Sequence, residues 1–197
     1  MREMIKMVLV LVVLSSFSGG LLASIRNGTK EQIENQQLKF VKGPAIKAIF
    51  EGASNDPVAD RFKITDGDVE RSFFVGIFDG KAETIAFESF GKGYGGDVGL
   101  MVGVNVSDDT LMGVGVTTHQ ETPGLGARAS TDVDFAAQFK GASAKDPIQV
   151  TNDGGSINAI SGATITSRAV CFAATDVGKM YLRLKPQIEE NLKAFNK

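Results

Sequence analysis

The run Ser161-Gly162-Ala163-Thr164-Ile165-Thr166-Ser167 puts four hydroxyls and two small residues at the head of an apolar pattern with helical spacing. Those residue types suit an anion, a phosphate above all. Gly162 and Ala163 let a ligand approach the backbone, while Ser161, Thr164, Thr166 and Ser167 supply hydroxyls. The free N–H groups and dipole of a helix N-terminus favour negative charge there. The plainer reading is a helix cap, for which Ser and Thr are preferred. A second run is His119-Gln120-Glu121-Thr122-Pro123-Gly124-Leu125-Gly126. Pro123-Gly124 is a tight-turn pair. The loop offers Glu121, Thr122, Gly124, Leu125 and Gly126 to a ligand, or it is simply a surface turn. A third is Gly91-Lys92-Gly93-Tyr94-Gly95-Gly96, with four glycines in six residues. It can cradle a phosphate or a ring, or stay a flexible loop. It is not a P-loop, because Gly-Lys is not followed by Ser or Thr. It does not fit the dinucleotide fingerprint either, because no helix follows.

Other chemistry is poorly provided for. There is one histidine, His119, so no multi-histidine metal site can be built. There is one cysteine, Cys171, so no internal disulfide forms, and its apolar helical context reads as a small buried hydrophobe. The chain has 197 residues, 43% hydrophobic and 22% charged, with a formal net charge of -2. That is a globular composition. The absence of a basic stripe with interleaved aromatics argues against nucleic-acid binding.

Several elements must position these residues. Arg2 and Lys6 precede an uncharged run from Met7 to Ile25, which Arg26 closes. Nineteen residues approach the roughly 20 that a helix needs to cross a bilayer core. The run reads as a membrane anchor, with a cleaved signal peptide (small residues Ser18 and Gly20) as the rival. The preceding positive charge favours a cytoplasmic N-terminus. Residues 27–44 read as a helical stalk that Gly43-Pro44 breaks. Residues 45–197 then form one α+β domain of mixed strands and helices. Strands are expected over Arg71–Phe78 and Ala82–Phe87, joined by an Asp79-Gly80 hairpin turn, and over Val98–Val106 and Leu111–Thr118. The third alternates strictly and reads as half-buried. Glycines on one side of the last two strands, Gly113 and Gly115 among them, call for something packed closely there, a ligand or a helix of the same domain. Asp132–Phe139 reads as a short helix and Ile148–Thr151 as a strand. A long helix from Thr164 to Leu184 carries a stripe of Ile165, Ala169, Phe172, Ala173, Val177, Met180, Tyr181 and Leu184. Pro186 begins a last short helix.

Taken together, a one-span anchor, GKGYGG, HQETPGLG and NAISGATITS resemble the G subunit of the Rnf electron transport complex over nearly the whole chain. The C subunit of the sodium-pumping NADH:quinone reductase shares the same FMN-binding domain. The resemblance implies FMN joined by a phosphoester to Thr164, with Thr166 a second hydroxyl near the phosphate and the runner-up for the linkage. It implies Ser161, Gly162, Ala163 and the Glu121–Gly126 loop around the flavin. It further implies a flavin transferase that makes the bond, and neighbouring subunits of a ferredoxin:NAD oxidoreductase that moves ions. The domain would lie on the outer face of the cytoplasmic membrane. One departure stands out: the transferase pattern usually has aspartate six residues before the modified threonine, and here that residue is Asn158. Two other functions compete, an FMN-binding sensory membrane protein and a non-redox binding module in which SGAT is only a cap.

Overall fold

The computed structural model describes residues 2–196. The chain divides into two compact units, one ending at Lys39 and one starting at Phe40. The first is helix α1, Arg2–Gln37. Its apolar residues from Met4 to Ile25 are exposed. The stretch Arg2–Lys30 is long and apolar enough to cross a membrane. A π-helical turn, Leu38–Lys42, follows.

The second unit opens with α2, Gly43–Ile49. Gly43-Pro44 was expected to break the helix. Instead Pro44 occupies its first turn, where the missing N–H would have no partner anyway. Five antiparallel strands then form one sheet in sequential order. They are β1 Arg61–Asp66, β2 Val69–Phe78, β3 Lys81–Lys92, β4 Asp97–Asn105 and β5 Thr110–Thr118. The Asp79-Gly80 turn has positive φ at both residues, 51° and 76°. That is the backbone a two-residue hairpin needs.

α3 is short, Val133–Ala137, capped by the Asp132 side chain, which accepts from Phe135 N. The stretch Ile148–Thr151 is not a strand. Only Val150 bridges, to Ile157, and a 3-10 turn follows at Thr151–Asp153. With a single bridging pair, nothing extends a ladder. α4 runs unbroken for 29 residues, Thr164–Leu192, with Pro186 inside it. A proline there gives up one helical hydrogen bond, to the carbonyl of Leu182 on an exposed turn. No separate C-terminal helix begins at Pro186.

α4 lies on one face of the sheet, against Ile85, Phe87, Val102 and Val104, and this is the main core. Cys171 is buried in it, and burial pushes its thiol up to about 12, so it is no nucleophile at neutral pH. Two stripe residues do not belong to the core. Ile165 and Phe172 are 47% and 60% exposed, because they point along the flank of α4 away from the sheet. α2 covers the glycine face. A Cβ on Gly115 would stand 2.9 Å from the Ala45 Cβ, and one on Gly103 2.3 Å from Ile49 Cγ2. A helix of the same domain is therefore what the glycines accommodate. It also makes β4 buried on both faces rather than half-buried.

The β4–β5 turn is pinned to α4 by charge. Asp109 accepts from Tyr181 Oη and pairs with Lys145 at 2.7 Å and Lys185 at 2.5 Å. Hydrogen bonds from Lys145, then Lys185, then Tyr181 hold its carboxyl well below the usual range. A carboxyl depressed in the folded state stabilises the fold above its unfolded value of about 3.9, and that stabilisation is lost as pH falls further toward the folded value. Asp109→Asn should therefore lower the unfolding temperature clearly at pH 7, and the gap to the parent should narrow steadily below about pH 4. A gap that stays constant to acid pH would refute the ion network as its source.

Candidate functional site

The three glycine- and hydroxyl-bearing runs, far apart in sequence, meet at one carboxylate. Glu121 follows β5 and is 6% exposed. Its Oε1 accepts from Gly95 N at 2.9 Å, and its Oε2 accepts from Thr166 Oγ1 at 2.5 Å. Packing around it leaves no room for Cβ atoms. One on Gly93 would lie 2.4 Å from Oε1, and one on Gly126 2.4 Å from Oε2 and 2.6 Å from Thr166 Oγ1. Glycine at these positions is thus a matter of close approach. Gly124, at φ 76°, serves instead as the left-handed residue of the turn that Leu125 N closes on Thr122 O at 3.2 Å.

The Ser161–Ser167 run makes a turn of its own. Ala163 N donates to Ile160 O at 2.9 Å, with Gly162 left-handed at φ 77°. Ser167 Oγ accepts from Ile160 N and donates to Ala163 O, both at 3.0 Å. Ala163 is the residue before α4, and no side chain caps the helix there. The cap reading therefore fails, and the buried Ser167 ties Ile160 to Ala163 from inside the helix. Thr164 is the first residue of α4. It is half-buried, and its hydroxyl has no hydrogen-bond partner among the described residues. Upstream, the Gln138 side chain clasps the backbone of Asn158, accepting from its N–H at 2.7 Å and donating to its carbonyl at 3.3 Å. The Asn158 side chain is left exposed.

Between these runs lies a cavity of about 560 Å³. Its walls are Tyr94, Glu121, Thr122, Leu125, Gly126, Gly162, Ala163, Thr164, Ile165 and Thr166. The volume falls within the roughly 300–1,000 Å³ of small-molecule and cofactor sites. The open end of α4 faces it with free backbone N–H groups.

The FMN-binding domain family matches residues 93–178, which span the cavity from the Tyr94 loop into α4. The G subunit of the ion-translocating oxidoreductase complex from Vibrio cholerae is 32% identical, covering 84% of either chain. Its counterpart from Methanosarcina acetivorans is 31% identical over 86% of this chain and 89% of its own. The chain belongs to the G-subunit family of ion-translocating oxidoreductase complexes. Two solved structures share the fold. They are the C subunit of the Na(+)-translocating NADH-quinone reductase from Parabacteroides distasonis and NqrC of Shewanella oneidensis. The first has TM-score 0.58 at 22% identity, covering 77% of this chain and 94% of that one. The second has TM-score 0.52 at 24% identity, covering 72% of each.

In this member of the G-subunit family, eight of the ten residues expected at the site line the cavity: Glu121, Thr122, Leu125, Gly126, Gly162, Ala163, Thr164 and Thr166. Ser161 and Gly124 do not, and both are exposed turn residues. Two lining residues lay outside the expected set. Ile165 looked like part of the core stripe. Tyr94 carried a usable signal, as the one aromatic side chain in a loop otherwise made of glycine and lysine.

Proposed function

We propose that this chain is the FMN-bearing, single-span electron relay of an ion-translocating oxidoreductase complex, with the flavin joined to Thr164 through a phosphoester. The observation that carries the reading is the difference between two hydroxyls. Thr166 is 2% exposed and donates to Glu121, so its oxygen is already committed. Thr164 opens onto the cavity, without a partner, at a helix N-terminus that favours a phosphate. A ring attached there has Leu125 and Ile165 beside it and Glu121 holding the surrounding loops together.

When bound, FMN supplies the redox chemistry, accepting and releasing electrons. The protein's part is to bind and position that group. Its residues fix the phosphate at Thr164, shape the cavity and hold the loops rigid. Covalent attachment suits a domain on the outer face of the membrane, where a dissociated cofactor would diffuse away. α1 would anchor it there, with electrons exchanged with neighbouring subunits. A flavin transferase would install the group. Asn158 is exposed within reach of such an enzyme, and asparagine keeps the size of the usual aspartate but not its charge.

The test is co-expression of the full chain with its transferase, then denaturation, in-gel flavin fluorescence and intact mass. The chain should gain the mass of one FMN less water. Thr164→Ala should lose that mass and the fluorescence entirely, while Thr166→Ala should keep both. A fluorescent Thr164→Ala band would show that another residue carries the flavin. A dark parent chain that becomes fluorescent on Asn158→Asp would locate the defect in transferase recognition.

A further inference from the structure

Along one flank of α4, Ile165, Arg168, Phe172 and Lys179 follow one another at helical spacing and border a second cavity, of about 550 Å³. Its floor is apolar and buried, built by Ile148 and Val150 from the stretch before the 3-10 turn and by Ala169 and Cys171 from α4. Its lip is apolar too, but uncovered. Phe172 is 60% exposed, on a helix whose other aromatic residue, Tyr181, is fully buried. Three cations and one carboxylate stand around that lip: Lys92, Arg168, Lys179 and Asp153. The carboxylate is already committed, since both of its oxygens accept from Arg168, at 2.7 and 2.6 Å. Lys92, at the end of β3, and Lys179 have neither an ion-pair nor a hydrogen-bond partner among the described residues. A chain of net charge -2 thus presents here an apolar groove with a positive rim.

We propose that this groove docks a neighbouring subunit of the complex, which lays an apolar side chain against Phe172 and sets carboxylates against Lys92 and Lys179. Small-molecule sites bury most of their ligand, whereas this groove leaves its largest ring in the open. An aromatic anchor inside a charged rim is the make-up of a protein interface. The unpaired lysines select an acidic segment and repel a basic one. They also disfavour a second copy of this chain, because a two-fold contact would bring the same lysines to both sides. Ile165 lines both this groove and the flavin cavity, so the docked segment lies beside the cavity wall. Phe172 is two helical turns further on, about 10 Å by helical rise. The docking requires only that the chain is a complex subunit. Its use for electron exchange rests on the reading that FMN is carried on Thr164.

The experiment uses the whole complex in its native membranes. Phe172 is replaced by the photocrosslinking residue p-benzoylphenylalanine, which an exposed position accommodates, and the membranes are irradiated. The adduct should join this chain to one other subunit of the complex, through a peptide carrying Asp or Glu beside apolar residues. The same crosslinker at Val133, 78% exposed and outside the groove, should not give that adduct. Adding Lys92→Glu with Lys179→Glu should cut its yield about tenfold, roughly 1.4 kcal/mol of binding for two reversed rim charges. Adding Lys47→Glu with Lys81→Glu, both exposed and outside the groove, should leave the yield unchanged. No adduct, an adduct only with lipid or with a second copy, or a yield indifferent to the lysine reversals overturns the docking face. Intact mass reports the flavin separately. A flavin-free chain that still gives the adduct keeps the docking and overturns attachment at Thr164; a flavinylated chain without the adduct does the reverse.

Discussion

Gly91→Ala is expected to destabilise the sheet domain by about 3 kcal/mol, the upper part of the usual range for forcing a methyl into a packed interior. A Cβ at Gly91 would lie 1.9 Å from the carbonyl oxygen of Ala169 and 2.6 Å from its carbon. Both are backbone atoms of α4, so no side-chain rotation relieves the clash. The helix must move off β3, and its first turn, with Thr164, moves too. Gly113→Ala supplies the comparison. There a Cβ meets only Ile49 Cγ1, at an ordinary 3.9 Å. That change should be neutral or stabilising by up to about 1 kcal/mol, since alanine narrows the unfolded ensemble. Thermal and urea unfolding of the full chain measure both. Equal effects at the two positions would mean that close helix packing at Gly91 is not what its glycine provides.

Glu121→Ala is the second large effect. It removes the acceptor from a buried hydroxyl, Thr166, and from the Gly95 N–H. Each stranded donor costs about 1–3 kcal/mol, and the two share one site, so a loss of about 3 kcal/mol in total is expected. The loops carrying Tyr94 and Leu125 lose their common tie, and covalent flavin per chain should fall with them. Glu121→Gln separates shape from charge. The amide oxygen still accepts from Gly95, and the amide nitrogen can donate to Thr166 Oγ1, whose hydroxyl then acts as acceptor. Only the charge assistance is lost, about 1 kcal/mol, and flavin content should stay near the parent's. If Glu121→Ala unfolds at the parent's temperature, the carboxylate does not join the three loops.

Two elements show where local pattern misled. β1, Arg61–Asp66, went unrecognised because it is an edge strand with only Ile64 buried, so polar residues dominate its six positions. The stretch Ile148–Thr151 has strand composition but no neighbouring strand to complete a ladder. β-structure is decided by partners, and partners are remote in sequence.

The sequence alone determined a great deal. An apolar run of 19 residues specifies a helix long enough for a membrane, because length and hydropathy are local properties. β-type runs marked four of the five strands, strict alternation one of them, and the Asp79-Gly80 pair marked their first turn, because strand composition, side-chain period and positive φ are written into residue types. The SGAT and ETPGLG runs were legible as candidate ligand loops. Tertiary structure decided what no local pattern holds. It buried the Thr166 hydroxyl against Glu121, 45 residues away, and left that of Thr164 free over the cavity. It turned the glycine faces of β4 and β5 toward α2 and α4's Ile165 and Phe172 toward solvent. It brought Tyr94 to the wall of the same cavity. Hydrogen-bond commitment and exposure depend on which distant groups arrive as neighbours, and only the folded chain brings them together.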